Sequence, residues 1–332
     1  MTAAAIILAA GKSTRMKSDS PKVLHEICGR PMLAYVLTTC RLAGIEKLIV
    51  VVGHGRTQVM QSFASDQDIT WVHQAEQKGT GHAVNCCKES LAGFEGSVLV
   101  IAGDMPLVRR EALAELLGER EETGDAVTIA TTILDDPTGY GRIIRDADGK
   151  LQAIVEHRDC TEEQRAIHEV NPSYYCFDAK KMFAALDRLS PASGSGEYYI
   201  TDAIRILRER GERVSAHVMV PSEDALGINS RLDLADVSRV MQDRIQVAHL
   251  HGGVTIVDPD NTWIEAEASI GRDTIVYPFS FVGAGAVIGD DCRIGPFALV
   301  RVDENVEAGM AIGSSIPEVA KVARKVMPGA VA

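Results

Sequence analysis

The sequence lacks several features that would assign it to a class at once. No apolar run is long enough to span a bilayer, and no basic residues precede the short apolar run near the N-terminus, so neither a membrane span nor a signal peptide is expected. The seven cysteines are scattered, odd in number and never spaced as CxxC. This pattern predicts reduced thiols in a cytoplasmic protein, with neither a disulfide framework nor a zinc site.

Excess positive charge is also missing. The chain has 34 Lys and Arg against 46 Asp and Glu, a net charge of −12, so a nucleic-acid-binding surface is not expected. Phosphate chemistry is not excluded, because a local cluster of cations can stand on an acidic protein. The balance of 46% hydrophobic and 24% charged residues over 332 positions is that of a globular protein with more than one folding unit.

The first two-thirds of the chain alternates β-branched runs with stretches of helical periodicity. Helices, one of them over 79–91, separate the predicted strands, which lie at about 6–8, 47–52, 70–72, 98–101 and 126–131. This order predicts an α/β fold with a parallel sheet covered on both faces, in which ligands bind beyond the carboxyl ends of the strands. From about 133 to 220 the pattern is less regular and indicates an insertion that closes over the sheet.

The last part of the chain has a six-residue period. After a predicted helix over 233–250, an aliphatic residue stands at every sixth position from Ile264 to Ile312, nine in all. This spacing is typical of a parallel β-helix of hexapeptide type, with three hexads to a coil; a chance run of strands in an ordinary sheet is the alternative. Helical spacing over 316–327 predicts a cap for the open end of three coils.

The loop after the first strand is a candidate anion site. Ala9, Ala10 and Gly11 have small side chains, so their backbone N–H groups can face a base or a phosphate. Arg15 and Lys22 follow and can bind phosphate oxygens. The loop matches neither the Walker A nor the dinucleotide GxGxxG motif, so a solvated turn with ordinary surface cations is an equal alternative.

A second candidate stretch lies at the start of the predicted helix over 79–91. Gln74 carries both donor and acceptor groups, which suits the edge of a pyrimidine. Gly79 and Thr80 offer backbone N–H groups and a hydroxyl at the helix start, although a simple helix cap is the alternative. His82 is assigned no role, because a lone histidine is more often structural than catalytic.

A third candidate is Asp104, which follows Gly103 at the end of a buried strand. Packing explains an aspartate poorly at that position, whereas a Mg²⁺ ligand beside phosphates explains it well. A lone aspartate can instead cap the next helix, so a metal role requires a second ligand from elsewhere in the chain.

These stretches and several others resemble the bacterial N-acetylglucosamine-1-phosphate uridyltransferases. The matching stretches run in order from about residue 5 to 312 and are LAAGKSTRM (8–16), PKVL (21–24), QAEQKGTGHA (74–83), AGDMP (102–106), DDPTGYGRI (135–143), IVEH (154–157), VN (170–171), GEYYITD (196–202) and GINSR (227–231). Their joint occurrence is highly specific. The resemblance implies a Rossmann-like nucleotidyltransferase domain with a mixed, mostly parallel sheet (1–232), a linker helix (233–252), a short left-handed β-helix (253–315) and a helical cap (316–332).

The resemblance also implies a reaction and a set of site residues. A uridylyl group passes from UTP to N-acetylglucosamine 1-phosphate, giving the cell-wall precursor UDP-N-acetylglucosamine and pyrophosphate. Arg15 and Lys22 would be catalytic, and Asp104 and Asn229 would bind Mg²⁺. The implied nucleotide-binding residues are Leu8, Ala9, Ala10, Gly11, Gln74, Gly79, Thr80 and Gly103. The implied sugar-phosphate-binding residues are Gly141, Glu156, Asn171, Tyr199 and Thr201.

The sequence departs from this family in two respects. Longer members carry an acetyltransferase on an extended β-helix whose residues have no counterpart here, so no acetyltransferase activity is expected. Near the sugar site, Ala102 stands where a bulkier residue often precedes Gly-Asp, and Pro172-Ser173 replaces a small pair ending in glycine, which leaves a different sugar open.

Two alternatives to the uridyltransferase remain. One is a nucleotidyltransferase that uses dTTP, GTP or CTP or another sugar 1-phosphate. The other is a non-catalytic regulator that binds a UDP-sugar, although the complete set of Arg15, Lys22, Asp104 and Asn229 argues against it. The β-helix itself suggests a homotrimer.

Overall fold

The computed structural model of the protein describes residues 2–12, 14–192 and 196–313. The predicted cap at 316–332 lies outside these residues. The chain divides into two compact units, of which the first comprises residues 1–25 and 31–237 and the second residues 26–30 and those from 238 onward. The domain boundaries expected at 232 and 252 stay predictions.

A nine-stranded mixed sheet forms the core of the first unit. The strands up to residue 220 are β1 (Ala3–Ala9), β2 (Glu26–Ile27), β3 (Arg30–Pro31), β4 (Lys47–Val52), β5 (Ile69–His73), β6 (Ser97–Ala102), β7 (Val127–Ile133), β8 (Gly141–Arg145), β9 (Leu151–Val155), β10 (Glu169–Asp178) and β11 (Val214–Val218). Nine of them form the sheet, in the order β11-β7-β10-β6-β1-β4-β5 with β8 paired to β10 and β9, whereas β2 and β3 form a separate two-stranded sheet. Strand β10 is antiparallel to its neighbours β6, β7 and β8, whereas β6, β1, β4 and β5 are parallel to one another. The prediction of a mixed, mostly parallel sheet is confirmed.

Up to residue 251, the described residues form eight α-helices. They are α1 (Met32–Leu42), α2 (Arg56–Ser62), α3 (Thr80–Asn85), α4 (Arg110–Thr123), α5 (Glu162–Arg165), α6 (Ala179–Leu186), α7 (Ile200–Glu209) and α8 (Arg231–His251). Consecutive residues of β1, β4 and β6 are buried, which requires cover on both faces of the sheet, and α3, α6 and α7 pack in one cluster with alternate residues of these strands. Helix α3 ends at Asn85, earlier than the predicted 79–91.

The segment from 133 to 220 was predicted to be an insertion that closes over the sheet, and the structure differs from this prediction. It contributes β10 and β11 to the sheet itself, and β10 lies between β6 and β7. The pairing of β10 with β7 shifts register between Val170 and Tyr174, where Pro172 has no N–H to donate and Ser173 has a φ of 69°. The irregular sequence pattern therefore reflects a bulge in a central strand.

The second unit contains a β-helix built from two-residue strands. They are β12 (Thr255–Ile256), β13 (Trp263–Ile264), β14 (Ser269–Ile270), β15 (Ile275–Val276), β16 (Phe281–Val282), β17 (Val287–Ile288), β18 (Arg293–Ile294), β19 (Leu299–Val300), β20 (Asn305–Val306) and β21 (Ala311–Ile312). Parallel pairing joins them into three stacks, β12-β15-β18-β21, β13-β16-β19 and β14-β17-β20. The predicted left-handed hexapeptide β-helix is confirmed, and all predicted aliphatic positions are second residues of strands.

Two different constraints shape the corners of each coil. Residues with a φ between 56° and 76° recur every six positions from 267 to 309, and most of them are not glycine. Glycine is required at 283 and 289 for another reason, because a Cβ on either residue would lie 2.6 Å from a backbone nitrogen of the next coil.

Among the described residues, none of the helices has the length and apolar character needed to cross a membrane.

Candidate active site

Two adjoining cavities open at the carboxyl ends of β1 and β6 in the first unit. Their volumes are about 570 and 660 Å³, the size of a small-molecule site. The antiparallel strand β10 begins at this same edge, which brings Asn171 and Ser173 to the cavities. The two cavities share a wall formed by Ala102, Asp104, Glu156 and Ser173.

All predicted site residues except Gly103 line one cavity or both. The residues that line the first cavity are Leu8, Ala9, Ala10, Gly11, Lys22, Gln74, Gly79, Thr80, Tyr199 and Thr201. The residues that line the second are Arg15, Gly141, Asn171 and Asn229, and Asp104 and Glu156 line both. The sugar-phosphate set is therefore divided between the cavities. The Gly103 N–H donates to the Leu8 carbonyl at 2.9 Å, so this residue ties β6 to β1 behind the site.

The two predicted cations meet the two predicted metal ligands. Lys22 Nζ forms an ion pair with Asp104 Oδ2 and lies 3.3 Å from Asn229 Oδ1. Arg15 donates to the same Asn229 oxygen at 2.9 Å, although the two residues are 214 positions apart in the chain. The four side chains form one charged cluster at the shared wall, and Asp104 does not cap the next helix, whose N-cap residue is Arg109.

Asn229 is held in place by the start of α8. The backbone N–H groups of Asn229 and Ser230 donate to Asp233 Oδ2 at 2.8 and 2.9 Å, and the Asp233 N–H lies 3.3 Å from Ser230 Oγ. The Ile228 N–H donates to the Asp104 carbonyl at 3.1 Å, which joins the segments of the two predicted metal ligands. Sequence analysis missed Asp233, although the Ser-x-x-Asp spacing before a helix is a signal for such a cap.

The cluster fits a divalent cation. A carboxylate oxygen of Asp104 and the amide oxygen of Asn229 face one ammonium group, so both can reach a single cation between them. Oxygen ligands are those that Mg²⁺ prefers. Within the described part of the chain, no group of three or more His, Cys, Asp or Glu could hold a metal. Two protein oxygens leave coordination positions of such a cation open to water or to phosphate oxygens.

Hydrogen bonds hold the Gln74 end of the first cavity. The Gln74 backbone N–H donates to the Val52 carbonyl at 2.9 Å, and its side-chain nitrogen donates to the Gly79 carbonyl at 3.1 Å. The Thr80 hydroxyl accepts from the Ile200 N–H at 3.1 Å and so connects α3 to the start of α7. Since Thr80 does not cap its own helix, the simple cap does not account for this residue.

Hydroxyl groups and a half-buried acid line other parts of the two cavities. Asn171 donates to the Tyr175 hydroxyl at 2.7 Å, and burial raises the pKa of Tyr175 to about 12. Burial also raises the pKa of the Glu156 carboxyl, an effect that the charge of Arg158 and a hydrogen bond from Thr201 partly offset. Sequence analysis missed Tyr175, because its motif was read only as far as Asn171.

A polar network surrounds Tyr199. Its hydroxyl donates to Glu197 at 2.6 Å and accepts from Arg158, whose guanidinium lies 5.3 Å from the ring centroid. Glu197 lines the first cavity, as do Gln77 and Lys12, and none of these had an assigned role. The GEYYITD and QAEQKG stretches contain two of them, so motif context was an available signal.

Known families and folds agree with this geometry. Residues 5–198 match the MobA-like NTP transferase domain, and residues 267–301 match the bacterial transferase hexapeptide model of six repeats. A crystal structure of UDP-glucose pyrophosphorylase complexed with UDP-glucose has a similar fold, with a TM-score of 0.60 and 19% identity over 74% of this chain and 100% of that chain. Fold and site together define a sugar-1-phosphate nucleotidyltransferase, a class that generally uses a divalent metal.

Curated relatives narrow the class to one family. Bifunctional protein GlmU of Clostridium acetobutylicum is 41% identical over 94% of this chain and 75% of its own length. Bifunctional protein GlmU of Geobacillus sp. strain WCH70 is 45% identical over 90% of this chain and 64% of its own length. The chain thus spans about two-thirds to three-quarters of these relatives. It belongs to the GlmU family.

Proposed function

We propose that the protein transfers the uridylyl group of UTP to N-acetylglucosamine 1-phosphate, with release of pyrophosphate. The observation that carries this proposal is the cluster of Arg15, Lys22, Asp104 and Asn229 at the wall shared by the two cavities. A reaction between two phosphate-bearing substrates requires cations and metal ligands at the point where the substrates meet. Membership of the GlmU family and the motif resemblance support the choice of substrates.

The uridine part of UTP is assigned to the first cavity. Ala9, Ala10 and Gly11 let the base and phosphates approach the backbone, and no atom lies within 4 Å of where a Gly11 Cβ would stand. Gln74 and Gly79 face the base, and Thr80 stands beside them. The sugar phosphate is assigned to the second cavity and the shared wall, where Asn171, Gly141 and Glu156 lie.

Catalysis follows from charge and position. An oxygen of the sugar phosphate attacks the α-phosphorus of UTP in line, the bond to the β-phosphate oxygen breaks, and pyrophosphate leaves. The nucleophile is already an anion, so no strong general base is needed. Lys22 and Arg15 neutralise the charge that develops on the leaving pyrophosphate. Asp104 and Asn229 are proposed to hold Mg²⁺, which would supply further charge neutralisation at the phosphate oxygens.

Pyrophosphate release tests this assignment. The protein is assayed with Mg²⁺ against a matrix of UTP, dTTP, CTP and GTP and several sugar 1-phosphates. UTP with N-acetylglucosamine 1-phosphate should give the highest kcat/KM. Faster turnover of another pair would replace the proposed substrates, and tight UDP-sugar binding without any turnover would favour the regulator.

A homotrimer formed through the β-helix is the proposed assembly. Phe279 and Phe297 stack with ring centroids 5.1 Å apart and are 56% and 70% exposed, and Leu299 is 61% exposed. Such an apolar patch on a hexapeptide β-helix suits contact between copies. Sedimentation equilibrium should give three chains, and Phe297→Asp should shift the protein toward a monomer. A monomeric wild-type protein would contradict the proposed trimer and would have no bearing on the proposed reaction.

A further inference from the structure

The side-chain amide of Gln74 is held from two sides. The side chain is only 3% exposed, and its nitrogen Nε2 donates to the Gly79 carbonyl at 3.1 Å. The same nitrogen lies 3.0 Å from Nδ1 of His82. A backbone carbonyl can only accept, so the NH₂ group and not the amide oxygen faces Gly79. The Gly79 carbonyl therefore favours this orientation of the amide, and Nδ1 of His82 provides the second contact of the same nitrogen.

This orientation also determines the protonation of His82. Since the Gln74 nitrogen is a donor, Nδ1 of His82 accepts with its lone pair, which corresponds to the tautomer that carries its hydrogen on Nε2. Nε2 lies 3.9 Å from Cys86 Sγ, a weak acceptor one helical turn further on. His82 thus completes a chain that runs from Cys86 through the imidazole to the amide.

Both hydrogens of the Gln74 amide are used in these two contacts, so the oxygen Oε1 is the remaining polar atom of a side chain that lines the first cavity. Uracil and thymine carry a hydrogen on N3, whereas N3 of cytosine is a lone-pair acceptor. An acceptor presented by the protein therefore pairs with uracil or thymine and opposes cytosine.

We propose that His82 is a positioning residue that fixes the Gln74 amide with its oxygen toward the base, and so makes the site select uracil or thymine nucleotides over cytosine nucleotides. The inference rests on the proposed placement of the base beside Gln74. With both acceptors in place, a half-turn of the amide would bring its oxygen against the Gly79 carbonyl and against Nδ1 of His82. Without His82 only the Gly79 carbonyl opposes this half-turn, which would present NH₂ to cytosine N3. Discrimination between uracil and cytosine depends on this fixed orientation, because an amide oxygen and an amide nitrogen have nearly the same shape.

The decisive measurement compares UTP with CTP in two substitutions at one position. His82→Leu removes the acceptor, whereas His82→Asn keeps a side-chain oxygen near the position of Nδ1. We expect the ratio of kcat/KM for UTP over CTP to fall roughly tenfold to a hundredfold in His82→Leu, the effect of one mispaired buried group. His82→Asn should restore most of the ratio. A purely structural role would lower kcat/KM for both nucleotides together, and an unchanged ratio in His82→Leu would overturn the proposal.

The same ratio can be measured without turnover. Calorimetric titration with UTP and with CTP gives the affinity ratio in wild type, His82→Leu and the exposed control His251→Leu, which should behave as wild type. If the protein binds UTP in preference to CTP and His82→Leu loses this preference, the inference stands even where no sugar phosphate is turned over and the proposed reaction fails.

Imidazole ¹⁵N chemical shifts of the free protein test the hydrogen bond between the Gln74 amide and Nδ1 of His82. His82 should show an unprotonated Nδ1 and a protonated Nε2. The opposite tautomer would mean that Nδ1 is a donor, which cannot coexist with the observed amide orientation and would overturn the proposal. This result does not depend on any nucleotide or reaction.

Discussion

The β-helix and the paired cavities are assembled in opposite ways. In the β-helix each strand pairs with the equivalent strand of the next coil, as Ile264 does with Val282. In the cavities, Arg15 reaches Asn229 across 214 positions. A repeated coil places many equivalent side chains in one stack, whereas the charged cluster contains each group once. Loss of one side chain should therefore lower the stability of the protein when it lies in the β-helix, and the catalytic rate when it lies in the cavities.

The largest effect is expected from Lys22→Ala. Lys22 contacts both Asp104 and Asn229, and its loss removes a cation from the place where we propose that pyrophosphate leaves. Turnover should fall by roughly 10³–10⁵-fold, as for other cationic phosphate clamps, while circular dichroism and Tm stay near wild type. The matched control is Lys88→Ala, which breaks an exposed pair with Asp187 at 2.7 Å and should leave turnover unchanged. Near-normal turnover in Lys22→Ala would contradict the catalytic assignment.

Ile294→Ala should give the reverse profile. Ile294 is fully buried in the stack of the β-helix, and its truncation leaves a cavity that costs about 2–5 kcal/mol of unfolding free energy. Calorimetry should show a lower Tm, with the ratio of UTP to CTP use unchanged. Arg293→Ala, at the neighbouring outward position, is the control and should change stability little. Equal stability of Ile294→Ala and wild type would mean that the stack does not support the unit.

Asp233→Ala should act on the site through the position of Asn229. The substitution removes the acceptor for two backbone N–H groups that hold Asn229. We expect the Mg²⁺ concentration for half-maximal activity to rise roughly tenfold to a hundredfold, as for other residues that orient a metal ligand. Maximal rate at saturating Mg²⁺ should change less. A loss of rate that no Mg²⁺ concentration restores would show that Asp233 does more than orient Asn229.

The smallest effect concerns pH. Because burial raises the pKa of Glu156, the folded protein holds this proton more firmly than the unfolded chain. The associated stability is fully present below the ordinary pKa of a glutamate and is lost as pH rises through the raised value. Glu156→Gln should flatten this part of the pH–stability curve in urea unfolding. If the slope is the same in Glu156→Gln, another group is responsible.

Sequence patterns predicted the elements whose period is short. Strand β4 has the predicted bounds 47–52, and the aliphatic residues predicted at every sixth position from Ile264 to Ile312 lie in the strands of the β-helix. The first strand of the β-helix, β12 (Thr255–Ile256), was not predicted, because a 3₁₀ turn at Pro259–Asn261 interrupts the six-residue spacing before Ile264. Strand β10 was missed because its bulge hides the alternation of a strand.

The site was predictable in its parts and not in its arrangement. Side-chain chemistry nominated Arg15, Lys22 and Asp104 as separate candidates. Only the fold shows that they meet Asn229 at one wall, because contacts across such sequence distances leave no local pattern. Gly103 was expected to face the nucleotide, but its N–H is used to tie two strands together.

The wall between the cavities has a consequence for how the two proposed substrates bind. Asp104, Glu156 and Ser173 face both cavities. Occupation of one cavity therefore changes the electrostatic and steric surroundings of the other. The binding free energies are then coupled, and thermodynamic linkage makes the coupling reciprocal. Whatever factor the nucleotide imposes on the affinity for the sugar phosphate, the sugar phosphate imposes the same factor on the affinity for the nucleotide.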